Sequence, residues 1–212
     1  MAECAPTHET AEHHALLAES AAPVKFARAA AIEVARELLA HVSPCAERVL
    51  IAGSLRRRKA MVGDVELLFI PRMKEGFRGD LLAPPPMVSM VDEALEQLIA
   101  EGIIARRLSV KGTASWGAKN KLAVHVESGI PVDLFAATAA NWWNYVVCRT
   151  GGSRSNIAIC NAARERGWKW RPYGEGFTRV GGPDHGRVHA VASEREVFEF
   201  VGLPCLSPEE RC

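Results

Sequence analysis

The chain has 212 residues, 48% of them hydrophobic and 24% charged, and a formal net charge of +1. Such a composition is typical of a globular protein, and the length allows one or two compact units with a real core. No apolar run reaches the roughly 18 residues of a membrane span, and the N-terminus lacks the basic-then-apolar pattern of a signal peptide. We therefore expect a cytoplasmic protein, associated with the nucleoid in a prokaryote, that has no membrane partner.

The cysteines and histidines follow no pattern typical of a disulfide framework or a zinc site. None of the six cysteines forms a C-x-x-C pair, and the seven histidines lack the spacing of metal ligands. Free thiols in a reducing compartment are the expectation, without bound zinc.

The first predicted elements in chain order are an acidic leader and a helix. Residues 1–22 hold four glutamates but no lysine or arginine, which favours a flexible segment. Apolar residues then recur every four residues, which predicts a helix that begins after Pro23 and ends at Pro44. The apolar stripe of this helix consists of Phe26, Ala30, Val34 and Leu38.

The central part of the chain predicts five strands and one helix. Short apolar runs that stop at Gly or Pro indicate buried strands, and one amphipathic stretch that ends at Gly102 indicates a helix. The predicted strands are 48–53, 64–71, 104–109, 121–126 and 130–137, the helix is 90–102, and a loop is expected at 75–86.

After Ala137 the composition changes. Helices are predicted at 141–147, 155–167 and 194–202, and tryptophans lie within the first of them and just after the second. Residues 141–180 carry seven Lys or Arg against two Glu. We expect a mixed sheet with two helices, followed by a smaller, mostly helical and basic part.

The segment AGSLRRRKAMVGDVELLF, residues 52–69, carries two groups of functional side chains. A strand that ends at Gly53-Ser54 before a helical turn presents N–H groups, a hydroxyl and the positive end of a helix dipole, which together suit a phosphate. Arg57 lies about one turn further on and can add a charge-assisted hydrogen bond. The alternative is that Ser54 caps a helix and that the basic run is solvated.

Three carboxylates in apolar strands predict a metal site. Asp64 and Glu66 are two residues apart, so they point to the same face of a strand, where two carboxylates repel each other unless a cation lies between them. Asp133 supplies a third acid in another strand. Hard divalent cations take oxygen ligands, and two of them can share such carboxylates over a phosphoryl group. The alternatives are an exposed strand edge for the pair and a loop cap for Asp133.

At these residues the sequence resembles the nucleotidyltransferase superfamily, and within it the family X DNA polymerases of the DNA polymerase beta type. The family's Gly-Ser, Arg and Gly-Asp-x-Asp pattern reads GSLRR at 53–57 and GDVE at 63–66. The third acid of the family pattern corresponds to Asp133, within the segment VDLF. Downstream, NWWNYVVCRTGGSRSN is similar to the family's aromatic-rich helix and T-G-S turn, and EREVFEFVGLPCLSPEER is similar to its closing segment.

The resemblance extends over residues 24–211 and implies an α+β fold. A nucleotidyltransferase palm at 23–137 would consist of a mixed sheet with two helices, and a small, mostly helical thumb would occupy 138–212. Asp64, Glu66 and Asp133 would bind two Mg²⁺ ions, which Mn²⁺ can replace. The residues implied in nucleotide binding are Gly53, Ser54, Arg57, Gly63, Arg149, Gly151 and Asn156.

The sequence departs from the family pattern at several positions. Glu66 stands where a second Asp is usual, and Cys148 and Arg149 replace the two aromatic residues that usually precede the T-G-S turn. Gly152 takes the place of the serine of that turn, and Cys160 stands where an arginine often contacts the template. Because there is no room for a lyase domain or helix-hairpin-helix fingers, we expect no 5′-deoxyribose phosphate lyase activity and a small DNA footprint.

These features predict a minimal family X-like DNA polymerase. It would transfer a nucleotide from a deoxynucleoside triphosphate to a primer 3′-hydroxyl, on primer-template or gapped DNA, in repair or gap filling and as a monomer. Two alternatives stay open at this level. One is a nucleotidyltransferase that acts on RNA or on a protein hydroxyl, and the other is a catalytically weakened nucleic-acid-binding relative with Glu66 as the lesion.

Overall fold

A computed structural model of the protein describes residues 24–77 and 84–211. The predicted acidic leader at 1–22 and residues 78–83 of the predicted loop lie outside these ranges. Among the described residues, no helix combines the length and the apolar character needed to cross a membrane.

The described residues form twelve strands and six α-helices. The strands are β1 (Phe26–Ala27), β2 (Ala46–Ile51), β3 (Met61–Val62), β4 (Val65–Pro71), β5 (Met73–Glu75), β6 (Met87–Ser89), β7 (Ile104–Arg106), β8 (Asn120–His125), β9 (Pro131–Ala136), β10 (Trp168–Trp170), β11 (Gly176–Arg179) and β12 (Val188–Ala190). The helices are α1 (Arg28–Val42), α2 (Gly53–Arg56), α3 (Met90–Ala100), α4 (Trp142–Thr150), α5 (Ser153–Glu165) and α6 (Glu194–Glu199).

A five-stranded mixed sheet in the order β2-β4-β9-β8-β7 forms the centre of the first part of the chain. Only β4 and β9 run parallel; the other neighbours are antiparallel. These are the five strands predicted from the apolar runs, with shifted ends. The α+β prediction is confirmed.

Helices α1 and α3 cover one face of this sheet. Helix α1 buries Ala31, Val34, Ala35, Leu38 and Val42, while the predicted stripe residue Ala30 is exposed. A strict four-residue spacing drifts away from the 3.6-residue helical period, so Ala31 and Ala35 face the core instead.

Phe26 was predicted to lie in the first helix, and this was wrong. The helix begins at Arg28, and Phe26 lies in β1, where it is paired with Val62 of β3. The short β1–β3 ladder holds the start of the described chain beside the segment that carries Gly63.

The other face of the sheet contacts the second part of the chain. Because side chains alternate along β4, Leu67 and Phe69 lie in the core under α1 and α3. Leu68 and Ile70 instead pack with aromatic residues of α4 such as Trp142. Both faces of β4 are therefore buried, and α4 is anchored directly on the sheet.

The second part contains a three-stranded antiparallel sheet, β10-β11-β12, that the sequence analysis did not predict. These strands have three or four residues each and include polar residues such as Lys169 and Thr178, so they lack the apolar runs that indicate strands. Their sheet packs with α5 and α6 in a separate core that includes Ile159, Phe177 and Val197.

Candidate nucleotide and metal site

Strand pairing brings the three predicted acids together. Glu66 on β4 lies opposite Asp133 on the parallel neighbour β9, and Asp64 precedes β4 on the same face as Glu66. One ligand oxygen of each carboxylate lies within 4.8 Å of those of the other two. We call Asp64, Glu66 and Asp133 the acidic cluster; its size and oxygen ligands suit a hard divalent cation.

The pKa values in the acidic cluster show that its charges are only partly compensated. Burial, and then the charge of Asp64, raise the pKa of Glu66 to about 8. Burial and the charge of Asp133 raise the pKa of Asp64. Burial also raises the pKa of Asp133, against the opposing effect of Arg107. A divalent cation would relieve this repulsion and desolvation, so the residues present fit a metal site.

Arg107 belongs to the site although the sequence analysis did not identify it. Its Nη2 donates to Oδ1 of Asp133, and its Nε donates to the carbonyl oxygen of Ala123 at 2.9 Å. These two hydrogen bonds hold its guanidinium against the acidic cluster. No local motif marks Arg107, because only the order of the strands in the sheet brings it to Asp133.

A cavity of about 340 Å³ opens beside the acidic cluster. We call it the first cavity. Its lining combines glycines, hydroxyls, cations and two of the three acids. The lining residues are Lys25, Gly53, Ser54, Arg57, Gly63, Asp64, Glu66, Cys148, Arg149, Gly151, Gly152 and Ser153. Most of the residues that the sequence analysis assigned to nucleotide binding therefore meet at one cavity.

The Gly53-Ser54 turn lies directly against a carboxylate of the acidic cluster. Gly53 has a φ of +63°, and a Cβ at this position would lie 2.5 Å from Oε2 of Glu66. Both the left-handed backbone and the close approach require glycine. The two functional halves of the segment 52–69 are therefore in van der Waals contact.

The hydroxyl of Ser54 is buried, and its Oγ has no hydrogen-bond partner within residues 24–77 and 84–211. It does not cap helix α2, whose N-cap is Ala52, so the capping alternative has no support. Buried polar groups without a partner are rare in folded proteins. An oxygen of a bound phosphate would supply the missing partner.

Two cations stand beside this turn. The Nη1 of Arg57 donates to the carbonyl oxygen of Thr150 at 2.6 Å, while its buried Nε has no hydrogen-bond partner within the described ranges. Lys25 was missed by the sequence analysis because it precedes the predicted helix; the β1–β3 ladder carries it to the cavity. The charges of Lys25 and Arg57 both oppose the rise in the pKa of Asp64.

The turn after helix α4 contributes Gly151 and Asn156. The Nδ2 of Asn156 donates to the carbonyl oxygen of Cys148 at 2.9 Å, while its buried Oδ1 is unpartnered in the described part of the chain. A Cβ on Gly151 would lie 2.8 Å from that Oδ1. Asn156 thus packs on the turn, and its Oδ1 can accept a hydrogen bond from a ligand.

The side chain of Arg149 lies against β9. Its guanidinium lies 3.6 Å from the ring centroid of Phe135, and its Nη2 donates to the hydroxyl of Tyr173 at 3.2 Å. Its charge also opposes the rise in the pKa of Glu66. The cationic group that replaces a usual aromatic side chain thus faces the acidic cluster.

A second ionic group joins the two parts of the chain. Arg56 makes two hydrogen bonds to the carboxylate of Glu194, both at 2.7 Å, and Arg211 donates to the same carboxylate at 2.9 Å. We call Arg56, Glu194 and Arg211 the arginine–glutamate cluster. Burial would raise the pKa of Glu194, but the hydrogen bonds from the two arginines outweigh it, and the pKa is lowered. No pattern in the sequence indicates this role of Arg56.

Comparison with known proteins shows what this chain is similar to. Residues 145–212 match the family model of the DNA polymerase beta thumb. Over 191 residues, 89% of the chain, the sequence is 26% identical to the DNA polymerase/3'-5' exonuclease PolX of Bacillus subtilis (strain 168). The chain is thus similar to family X DNA polymerases.

The family resemblance inferred from the motifs is therefore confirmed. The match covers 29% of the length of the Bacillus subtilis relative, so the chain corresponds to part of that protein. The family X-like thumb match begins within helix α4 and includes α5, α6 and the three-stranded sheet. It therefore contains the Thr150-Gly151 turn, together with Glu194, which accepts from Arg56, and Arg211, which donates to Glu194.

Proposed function

We propose that the protein is a minimal family X-like DNA polymerase, with a palm at 23–137 and a thumb at 138–212. It would transfer a nucleotide from a deoxynucleoside triphosphate to a primer 3′-hydroxyl, in gap filling or repair. The observation that carries the proposal is the position of the acidic cluster against a cavity that also presents the unpartnered Ser54 hydroxyl and three cationic side chains. We propose a monomer in the cytoplasm, with primer-template or gapped DNA as its partner.

The acidic cluster is the proposed holder of two Mg²⁺ ions, with Mn²⁺ as a substitute. Bound there, the ions would neutralise charge on the reacting phosphate and increase the nucleophilicity of the acceptor hydroxyl. Asp64 and Glu66 would take part in holding both ions. Asp133, on the neighbouring strand, would orient the ion nearer to the acceptor hydroxyl.

The first cavity is the proposed triphosphate site. Ser54 would donate its hydroxyl to a phosphate oxygen, and Arg57 and Lys25 would stabilise the negative charge of the triphosphate. The glycines 53, 63 and 151 leave room for close approach of the nucleotide to the backbone. Asn156 would offer its unpartnered Oδ1 to the nucleotide edge. Phosphoryl transfer needs little beyond such positioning and charge stabilisation.

Primer extension tests this proposal. Gapped, recessed and single-stranded DNA substrates are incubated with each deoxynucleotide and Mg²⁺ or Mn²⁺, with an RNA acceptor and the protein itself as further acceptors. We expect extension of gapped DNA by the wild-type chain and by Glu127→Gln, which changes an exposed acid on the β8–β9 turn. Asp133→Ala should lose activity.

Two outcomes would contradict the proposal. Retained extension in Asp133→Ala would remove the three-acid mechanism. Label incorporation into RNA or protein without incorporation into DNA would assign a different acceptor to the same site.

A further inference from the structure

A cavity of about 680 Å³ opens between helix α1 and the β8–β9 turn. We call it the second cavity. A hydroxyl, an imidazole and a carboxylate meet in its lining, from Ser128 of the turn, His125 at the end of β8 and Glu37 of α1. A serine, a histidine and an acid in hydrogen-bond contact are the groups that nucleophilic catalysis of acyl transfer requires.

The hydrogen bonds join these three side chains in the order that activates a serine. The Oγ of Ser128 lies 2.8 Å from Nδ1 of His125, and Nε2 of His125 lies 3.1 Å from Oε2 of Glu37. Nδ1 also accepts from the backbone N–H of Ser128 at 3.3 Å. In the neutral imidazole the proton therefore resides on Nε2, which donates to Glu37, and Nδ1 is the base that faces the serine hydroxyl.

The β8–β9 turn directs the serine hydroxyl toward this base. The N–H of Ile130 donates to Oγ of Ser128 at 3.2 Å, which occupies a lone pair and leaves the hydroxyl proton for Nδ1. The turn is fixed by its backbone, because the N–H of Gly129 donates to the carbonyl oxygen of His125 at 2.9 Å. His125 is buried and Ser128 is exposed. The base is thus shielded from water, while the nucleophile is open to a ligand in the second cavity.

The second cavity and the acidic cluster lie on opposite faces of the central sheet. Leu122 of β8 is the register partner of Asp133, so the side chains of these two residues share a face. His125 is three residues further along β8, and side chains alternate between the two faces of a strand. His125 therefore projects to the face that α1 covers. A reaction in the second cavity would not use the groups of the nucleotide and metal site.

The charges of the lining limit the ligands that the second cavity can take. Among the described residues, three glutamates line it against one arginine, Arg36. Phosphate esters and other anions would be repelled, so the lining suits an ester without negative charge. Arg36 donates from Nη1 to Glu33 at 2.7 Å, and its guanidinium carries further N–H donors. These donors can stabilise the carbonyl oxygen that becomes negative during acyl transfer.

We propose that Ser128, His125 and Glu37 form a second catalytic site, which hydrolyses carboxylic esters that carry no negative charge. Ser128 attacks the carbonyl carbon through Oγ while Nδ1 of His125 takes the hydroxyl proton. The bond to the alkoxy group then breaks, and His125 gives the proton to the departing alcohol. Water, deprotonated by His125, hydrolyses the acyl-serine and releases the carboxylic acid. Glu37 is a positioning residue, because its charge orients the imidazole and stabilises the imidazolium. This activity does not depend on the proposed nucleotide transfer.

Two assays on the full chain test the second catalytic site. Release of 4-nitrophenol measures hydrolysis of 4-nitrophenyl acetate and of its anionic counterpart, 4-nitrophenyl hemisuccinate. Diisopropyl fluorophosphate, from which an activated serine displaces fluoride, labels the nucleophile, and peptide mass spectrometry locates the label. The variants are Ser128→Ala, His125→Gln and Glu37→Gln. The control is Ser109→Ala, because Oγ of Ser109 also accepts a backbone N–H, from Thr113 at 3.1 Å. Thermal unfolding of each variant verifies its fold.

We expect the wild-type chain and Ser109→Ala to hydrolyse the acetate ester and to carry the label on Ser128. Ser128→Ala and His125→Gln should lower kcat/KM about 10²-fold, and Ser128→Ala should prevent labelling. Glu37→Gln should lower kcat about tenfold and leave KM unchanged, because the imidazolium loses its counter-charge. For the wild-type chain, kcat/KM should be about tenfold lower with the hemisuccinate ester, because its charge is repelled by the lining.

Equal rates of acetate hydrolysis in the folded wild-type chain and in Ser128→Ala or His125→Gln would overturn the second catalytic site. A label on another serine, or the same loss of rate in Ser109→Ala as in Ser128→Ala, would overturn it as well. Equal kcat/KM values for the two esters would overturn the assigned substrate class. An unchanged kcat in folded Glu37→Gln would overturn the positioning role of Glu37.

Discussion

The arginine–glutamate cluster and the acidic cluster both contain partly buried carboxylates, whose pKa values are shifted in opposite directions. In the arginine–glutamate cluster, Glu194 accepts hydrogen bonds from Arg56 and Arg211, and its pKa is lowered. In the acidic cluster, Glu66 is also partly buried, but its charged neighbours include another acid, and its pKa is raised to about 8. Glu194 therefore has its counter-ions within the protein. Glu66 does not, because the positive charges around it do not balance the neighbouring acids.

The difference separates a structural group from a candidate binding group. A buried charge that is fully paired ties elements together, here α2 of the proposed palm to α6 and the C-terminal segment. Charges that repel each other destabilise the chain unless a ligand compensates them. Destabilised carboxylates are typical of functional sites, and this contrast supports the assignment of the acidic cluster to cation binding.

The largest expected effect is on activity. Glu66→Gln should lower nucleotide transfer by at least about 10²-fold, comparable with the loss of one strong electrostatic contact in other active sites. Glu66→Asp should retain activity, because it keeps the carboxylate. Glu194→Gln, the matched change in the paired cluster, should keep most of the transfer rate per folded molecule. Single-turnover primer extension measures the transfer rates of the three variants. Equal losses of rate in Glu66→Gln and Glu194→Gln would contradict the different roles of the two clusters.

The same pair of variants should have opposite effects on stability. The pKa of Glu66 is raised in the folded state, so its favourable contribution is present below about pH 4.5 and is lost as pH rises through about 8. In metal-free protein, Glu66→Gln should therefore raise the free energy of unfolding at pH 9, on the order of 3 kcal/mol, and should change it little at pH 4.5.

Glu194 has a lowered pKa, so its contribution is present at neutral pH and is lost as pH falls through its folded pKa. Glu194→Gln should destabilise the chain at pH 7 by about 3 kcal/mol, since it leaves Arg56 and Arg211 without their shared partner. Urea unfolding in EDTA at pH 4.5, 7 and 9 measures both variants. A destabilised Glu66→Gln at pH 9 would show that Glu66 is a structural residue.

The smallest expected effect concerns Ser54. Ser54→Ala should weaken Mg²⁺–dATP binding about tenfold, because a hydroxyl that donates to a charged phosphate is lost. Its stability should stay within about 0.5 kcal/mol of wild type, since the Oγ makes no hydrogen bond to any described residue. Isothermal titration calorimetry measures the affinity of this variant for Mg²⁺–dATP, and thermal unfolding measures its stability. A clear loss of stability without loss of affinity would assign Ser54 to the fold.

The sequence predicts the parts of the site that are local along the chain. The Gly-Ser turn and the Asp64–Glu66 spacing follow from neighbouring residues, and apolar flanks place Asp133 in a strand. The sequence could not predict Arg107 or Lys25. The order of the strands in the sheet brings Arg107 to the site, and the β1–β3 ladder brings Lys25, each from a distant part of the chain. The short strands β10–β12 were missed for a related reason: their stability comes from packing under α5 and α6 rather than from local apolar runs.

The number of Mn²⁺ ions bound per chain tests the assignment of the acidic cluster most directly. Electron paramagnetic resonance titration counts bound Mn²⁺ in the presence of a non-hydrolysable deoxynucleoside triphosphate analogue. We predict two ions for the wild-type chain and for Glu194→Gln, and fewer for Glu66→Gln and for Asp133→Asn. The same number of bound ions in the wild-type chain and in both acidic-cluster variants would contradict the assignment.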